Sequence, residues 1–331
     1  MRRWVVAASI VVTVPLLTLF VILGRSVGHA GSFLVERSQR GVASVVDLAH
    51  KASDFPDPSL VATVVRAGFR LTGGSLTPGL YNVAEGSTQW GVVRMILRGE
   101  REPLVKLTVP EGFTMFQIAS RLKHRASIDS AAFIAWCRSA SSRTRYNVKS
   151  PTMDGFLMPA TYTVIRTESA GAIATIMAEA ALTSWRSLLV DNIRSRDSIV
   201  TLASIIQKEA VREDEYTTIA GVYANRLQRS MRLEADPTLQ YGRDLAITRS
   251  DLRDASNPYN TYQHAGLPPG PIGNPGVRAM RAALNPERHE YVFFVARGDG
   301  TRGHRFARSY AEHLGNVRLY RSAKSQSSSL R

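Results

Sequence analysis

The sequence predicts an α+β chain with one N-terminal membrane helix, a small α+β module and a larger mixed α+β domain. Three observations predict it: an uncharged apolar run from Trp4 to Gly24, alternating helix-like and strand-like periodicities over residues 60–125, and a longer helical stretch over 126–320 interrupted by loops rich in Gly and Pro. With 331 residues, 44% of them hydrophobic and 21% charged, the chain can bury a sizeable core, and its length suggests about two domains of roughly 150 residues. The 42 Lys and Arg against 27 Asp and Glu give a formal net charge of +15. Such a balance suits nucleic acid, an anionic membrane surface or an acidic polymer, and it also suits a merely solvated basic surface, since no run of five basic residues occurs. The lone Cys137 excludes an intramolecular disulfide, and with seven scattered His it leaves no Cys-rich zinc site, so neither metal nor cofactor is expected.

Residues 1–3 form a short tip, and residues 4–24 are long enough to cross a bilayer as a helix. Arg2 and Arg3 keep the tip in the cytoplasm, so the rest of the chain is exported from a single-pass anchor in the inner (plasma) membrane, into the periplasm in a Gram-negative cell. Export removes nucleic acid as a partner and leaves membrane lipid and cell-wall polymers. A cleavable signal peptide ending near Gly28-His29-Ala30 is the alternative, but the apolar run exceeds the usual core of about 7 to 15 residues. Gly31 to His50 has helical spacing with few large apolar side chains and is broken by Asp54-Phe55-Pro56-Asp57-Pro58, so residues 25–59 read as a spacer.

Within 60–125, a helix around Val61 to Phe69 is followed by turns at Gly73-Gly74 and Pro78-Gly79 and a strand at Leu80 to Val83. A second helix covers Trp90 to Leu97, and a strand from Leu104 to Val109 ends in Pro110-Glu111-Gly112. Thr114 then caps an amphipathic run through Leu122. The order Glu-Gly-x-Thr followed by Ile-Ala-x-x-Leu is similar to the start of a LysM-type glycan-binding repeat, although Gly-x-Thr is also plain N-cap chemistry.

In 126–320, Cys137 beside Trp136 reads as packing, and there is no Gly-rich phosphate loop, no Ser-centred nucleophile elbow and no His-x-x-x-His pair. The segment Ser198–Glu213 is the most informative. At about 100° per residue, Ile199, Leu202, Ile205, Ile206 and Ala210 share one arc, and Glu209 falls among them. Gln207 lies at the edge, Lys208 points away, and Glu213 also projects near the stripe. An inward Glu is paired, protonated or placed for chemistry, so an ion pair with Arg226, a shorter helix and a general acid all stand at this point. The loop Ser256–Gly276 carries five Pro and four Gly between Pro258 and Gly276. Tyr259 and Tyr262 offer stacking faces there, and Asn260, Thr261 and Asn274 offer hydrogen bonds, as in the wall of a sugar groove; a Pro-rich linker is the plainer reading. The basic, Ser-rich end, residues 321–331, reads as a frayed tail.

Val109-Pro-Glu-Gly-Phe-Thr114, Asp154-Gly-Phe-Leu-Met-Pro159, Leu202 to Glu209, Tyr223-Ala-Asn-Arg-Leu227, Asp236 to Tyr241, Ser256 to Tyr262, Gly266 to Gly276 and Gly303-His-Arg-Phe306 follow one another in the order seen in the MltG, or YceG-like, endolytic murein transglycosylases, which this chain resembles from about residue 60 to 320. The resemblance implies a membrane-anchored enzyme with a LysM-like subdomain at 60–125 and a catalytic domain at 126–320, acting on peptidoglycan glycan strands, with synthases of that polymer as further partners. It maps the catalytic acid to Glu209 rather than Glu213. It departs from the pattern at Gln207, where relatives often carry Glu, and at Ala160, where an acidic residue is common. Asn225, Gln240, Tyr259, Asn260, Tyr262 and His304 are the candidates for holding the sugar or orienting Glu209, each equally suited to a structural hydrogen bond. Two rivals remain: a non-catalytic glycan-binding scaffold, and a hydrolase, which would need a second carboxylate.

Overall fold

The computed structural model describes residues 18–329 apart from Arg37, Arg40, Thr167 and residues 189–195 and 244–245. The chain divides into two compact units, Met1–Val105 with Thr163–Thr167, and Lys106–Tyr162 with Glu168–Arg331.

In the first unit, β1 (Gly31–Val35) and β2 (Gly79–Val83) pair antiparallel with Phe33 opposite Tyr81. Alternation sends both rings to the buried face, where they stack 5.2 Å apart. Helices α1 (Val42–Ser53), α2 (Pro58–Thr72) and α3 (Gln89–Arg98) bury residues three and four apart: Val45, Val46 and Ala49, then Val61, Ala62 and Val65, then Val92, Val93 and Ile96. Pro58 opens α2 where no N–H is needed, and Gly73 ends it in the left-handed conformation, φ 68°.

One expectation changes here and another is only partly covered. The stretch 25–59, read as a spacer, supplies β1 and α1; its few apolar residues, Val45, Val46, Ala49 and Phe55, are the ones that enter the core. The expected span 4–24 lies mainly outside the described residues, but residues 18–23 are helical and Leu23 is buried with Val27 in the same core. Buried Gln89 fastens that segment, donating from Nε2 to the Ile22 carbonyl (2.9 Å) and accepting the Asp57 N–H at Oε1 (3.0 Å). Among the described residues no helix is long and apolar enough to cross a membrane.

Strands β3 (Leu104–Thr108) and β4 (Thr161–Ile165) pair. The second unit then runs through α4 (Met115–Ala126), α5 (Ser130–Arg138), α6 (Ala140–Arg145), α7 (Ala170–Ser187), α8 (Arg196–Glu209), α9 (Tyr216–Gln228), α10 (Asp236–Gln240) and α11 (Val277–Leu284). An antiparallel pair, β5 (Phe293–Ala296) and β6 (His304–Ala307), precedes α12 (Tyr310–Ser329). Its core is built around α8, whose residues Ile199 to Ile206 are all buried, against Ile219, Ala220 and Tyr223 of α9 and Ala279 and Ala283 of α11. The small side chains of α11 let the two helices approach closely.

The small module therefore ends at Val105 rather than at residue 125, because α4 buries Ile118 and Leu122 within the second unit. The pattern read as the start of a LysM-type repeat is a capping box: Thr114 Oγ1 accepts the Gln117 N–H (3.3 Å) while Gln117 Oε1 accepts the Thr114 N–H (2.9 Å). Helix α12 continues through most of the expected frayed tail, since neither Pro nor Gly follows Gly315. Cys137 is fully buried, and burial pushes its thiol far above the reactive range.

Candidate active site

Glu209 is the last residue of α8. The helix is shorter than its periodicity suggests, and this separates the two candidate carboxylates. Glu213 lies beyond the end, exposed in a 3-10 turn (Glu213–Glu215) and ion-paired with Arg278. Glu209 stays half-buried at the edge of the α8 core. Its Oε1 accepts a hydrogen bond from the Tyr223 hydroxyl at 3.2 Å. Tyr223 is held rigidly, 1% exposed, with Phe294 edge-on at 5.9 Å.

Burial is the largest influence on the Glu209 carboxyl and pushes its pKa up to about 7; the Tyr223 hydrogen bond opposes the rise, the charge of Asp236 adds to it, and Arg226 opposes it. The C-terminal end of a helix, with its partial negative charge, disfavours ionisation in the same sense as burial. The acid is thus poised near neutrality. Arg226, the ion-pair alternative, is committed elsewhere: its Nε donates to the Val292 carbonyl (2.6 Å) and its NH1 to the Leu233 carbonyl (2.9 Å) and Glu234 (3.2 Å).

Gln207 is a strut. Its Oε1 accepts the Gly276 N–H and its Nε2 donates to the Tyr216 hydroxyl, both at 2.9 Å, so α8 is tied to the start of α11 and to α9. Of the loop candidates, Tyr262 donates to Asp236 Oδ1 at 2.6 Å, and burial first, then Asp236 and the charges of Glu234 and Glu209, push its phenol upward. Asn260 is fully buried and organises its own loop, donating to the carbonyls of Asp251 (3.0 Å) and Asp254 (2.8 Å) and accepting the Tyr262 N–H (3.0 Å). It orients Tyr262 through the backbone.

Asn225 and His304 sit elsewhere. Asn225 donates to the carbonyls of His289 (2.7 Å) and Tyr291 (2.9 Å), fixing α9 to the segment before β5. His304 Nδ1 and backbone N–H both meet Glu215, at 2.7 and 2.8 Å, in a buried pair that joins β6 to the start of α9. Residues 271–276 of the Pro-rich loop are likewise buried rather than an open wall, with Asn274 at their centre: Oδ1 accepts the N–H groups of Gly155 and Leu157, and Nδ2 donates to the Phe113 carbonyl and Asp154.

Tyr259 and Gln240 belong to a groove of about 920 Å³ and its immediate wall. Gln240 and Tyr241 line the groove together with Phe116 and Gln117 of α4, and Lys208, one residue before Glu209, lies on its side. Tyr241 is stacked at a tilt on Tyr259 (4.7 Å between rings), and its hydroxyl donates to Asp154 Oδ2 at 2.7 Å. Asp154 is completely buried, and burial outweighs its hydrogen bonds from Tyr241, Met115 and Asn274, raising its pKa to about 6. It braces the aromatic wall from behind.

Sequence reasoning missed Tyr223 and Asp236. Tyr216, Ile219 and Tyr223 fall on one face of α9 by spacing, and Asp236 opens a motif already singled out, but no periodicity says that this face meets the end of α8. Among the described residues no group of three His, Cys, Asp or Glu side chains is arranged to hold a metal ion.

A model of the YceG-like family matches residues 39–319. The chain is similar to the endolytic murein transglycosylase of Bacillus subtilis (strain 168), 28% identical over 269 residues that cover 75% of this chain and 74% of that protein. It is also similar to the endolytic murein transglycosylase of Streptococcus pneumoniae (strain R6), 28% identical over 279 residues covering 73% of this chain, and there it spans half the length of the relative. The crystal structure of a YceG-like protein from Listeria monocytogenes is 29% identical and superposes with a TM-score of 0.58, covering 87% of this chain and 98% of that one.

Proposed function

Because the chain belongs to the YceG-like family, we propose that it is an endolytic lytic transglycosylase of peptidoglycan, with Glu209 as general acid and then general base. One observation carries the chemistry: a half-buried carboxyl at the end of a core helix, held by one phenol and with its pKa pushed up to about 7. Such a group is partly protonated at neutral pH and can donate to a leaving oxygen. The relatives' names supply the substrate class.

In the first step the Glu209 proton passes to the oxygen joining MurNAc to GlcNAc as the bond from that oxygen to the anomeric carbon breaks. The resulting carboxylate then takes the proton from the 6-hydroxyl of the same MurNAc, whose oxygen closes onto the anomeric carbon. The strand ends in a 1,6-anhydro sugar, Glu209 regains its proton, and no water is consumed. Because the nucleophile is intramolecular, it reacts at high effective concentration and needs no second carboxylate to activate it. Asp236 instead raises the Glu209 pKa by its charge, while the Tyr262 hydroxyl occupies one of its oxygens. Tyr223 stabilises the carboxylate formed between the two steps.

In this reading residues 4–24 anchor the protein in the plasma membrane, with both folded units on the extracytoplasmic side, next to nascent strands. The test is digestion of uncrosslinked strands by the wild type and by Glu209→Gln. Anhydro-ended fragments from the wild type alone support the reading. Bound but uncut strands indicate a scaffold, and reducing ends indicate a hydrolase.

A further inference from the structure

The groove lined by Gln240 and Tyr241 has a charge that the chemistry at Glu209 does not use. Arg121, His124 and Arg125 line it from α4, Arg243 from beyond α10 and Lys208 from α8, and no carboxylate is among the described residues lining it. Arg243 is neutralised by Asp251 at 2.6 Å. Arg121 is positioned without being neutralised: its NH1 donates to the Thr108 carbonyl (2.7 Å) and its guanidinium lies over the Phe113 ring (5.2 Å). Among the described residues Arg121 and Arg125 pair with no carboxylate, whereas Lys208 is attracted by the buried Asp154 carboxyl behind the wall. Cations gathered in one cleft repel one another and favour an anionic occupant.

We propose that this groove is a subsite for the carboxylates of the peptides carried by the glycan strand. The proposal rests on the strand being the substrate and adds which part of it is recognised. Phe116 and Tyr241, with ring centres 6.5 Å apart, give the groove an aromatic surface on which a sugar can lie, and the Gln117 and Gln240 amides can bond hydroxyls. Arg121 and Arg125 are one turn apart on α4, about 6 Å along the axis. An extended peptide advances about 3.3–3.6 Å per residue, so carboxylates two residues apart meet successive guanidinium forks, whose geometry suits them. The volume of about 920 Å³ suits one sugar with part of its peptide. Asp154 keeps the surface in place by holding the Tyr241 hydroxyl. An aromatic floor beneath cations selects a molecule carrying both rings and carboxylates over a simple phosphate polymer.

The test is a binding titration of the full chain in detergent, carrying Glu209→Gln so that strands stay intact. Its probes are uncrosslinked strands with their peptides and the same strands stripped of peptide by an amidase. Peptide-bearing strands are expected to bind about tenfold more tightly at low salt, and Arg125→Glu to bring the two affinities close together, while Arg125→Lys keeps most of the preference. Arg125 is exposed, so the fold should survive, which circular dichroism checks. Equal affinity for the two strands, or a preference that survives Arg125→Glu, overturns the proposal. So does poly(glycerol phosphate) competing through Arg125 while the two strands bind alike, which would assign the groove to a phosphate polymer. Because no cutting is needed, a wild type that binds peptide-bearing strands selectively but never cleaves them would sink the enzymatic reading and leave this one standing.

Discussion

Removing the hydroxyl that faces the Glu209 carboxyl, the proposed catalytic acid, should move the pH profile in a defined direction. Tyr223 donates to Glu209 Oε1 at 3.2 Å and thereby favours the ionised form, so Tyr223→Phe should raise the Glu209 pKa above about 7. A hydrogen bond to a charged group is worth about 1.5–3 kcal/mol net, and one pKa unit is about 1.36 kcal/mol, so this bond, long at 3.2 Å, is worth about one unit. Phe fits the fully packed site, since it keeps the ring that meets Phe294 edge-on. A general acid must be protonated in the free enzyme, so kcat/KM falls as pH rises through its pKa. The assay is kcat/KM for strand cleavage between pH 5 and 9. The alkaline limb should lie near pH 7 in the wild type and move upward in Tyr223→Phe. A limb that stays in place or moves down would refute the claim that this hydroxyl and this carboxyl are coupled in catalysis.

Asp236→Asn should move the same limb the other way, by a few tenths of a unit, because the Asp236 charge raises the Glu209 pKa. Glu209 also costs stability: its folded pKa of about 7 exceeds the ordinary 4.5, so the folded state holds its proton more tightly and wild-type stability falls as pH rises from about 4.5 to 7. The difference of 7 − 4.5 corresponds to at most about 3.4 kcal/mol, which partial exposure reduces to about 2 kcal/mol. Glu209→Gln should therefore unfold at higher denaturant than the wild type at pH 8 and at nearly the same denaturant at pH 4. His304→Ala removes the imidazole from Glu215 and leaves that buried carboxylate only the backbone N–H of residue 304, which should destabilise the second unit by about 2 kcal/mol in urea melts without moving the pH limb. Asn274→Ala orphans the N–H groups of Gly155 and Leu157 and should cost about 3 kcal/mol by the same measurement.

Much of this was legible in the residues. Helices α2, α3, α4 and α8 follow from apolar spacing, and Thr114, Pro58 and Gly73 mark ends that the chain uses. Glu209 stood out because a carboxylate on an apolar stripe is costly, and that cost is what raises its pKa. The misses come from context. Sparse apolar residues suggested a spacer over 25–59, yet Val45, Val46 and Phe55 are enough when a neighbouring sheet supplies the rest of the core. Asn225, Asn260 and His304 have the polar chemistry of a sugar site, but each spends it on carbonyls or on Glu215, partners remote in sequence or hidden in a loop. Tyr223 reaches Glu209 because α9 folds back on α8, a contact that no local pattern encodes.

The most direct measurement is mass spectrometry of the ends released from uncrosslinked peptidoglycan strands by the full chain and by Glu209→Gln at equal folded concentration. The account predicts 1,6-anhydro ends, one water lighter than reducing ends, from the wild type and none above background from the variant. Anhydro ends from Glu209→Gln at the wild-type rate, or reducing ends from the wild type, would contradict it.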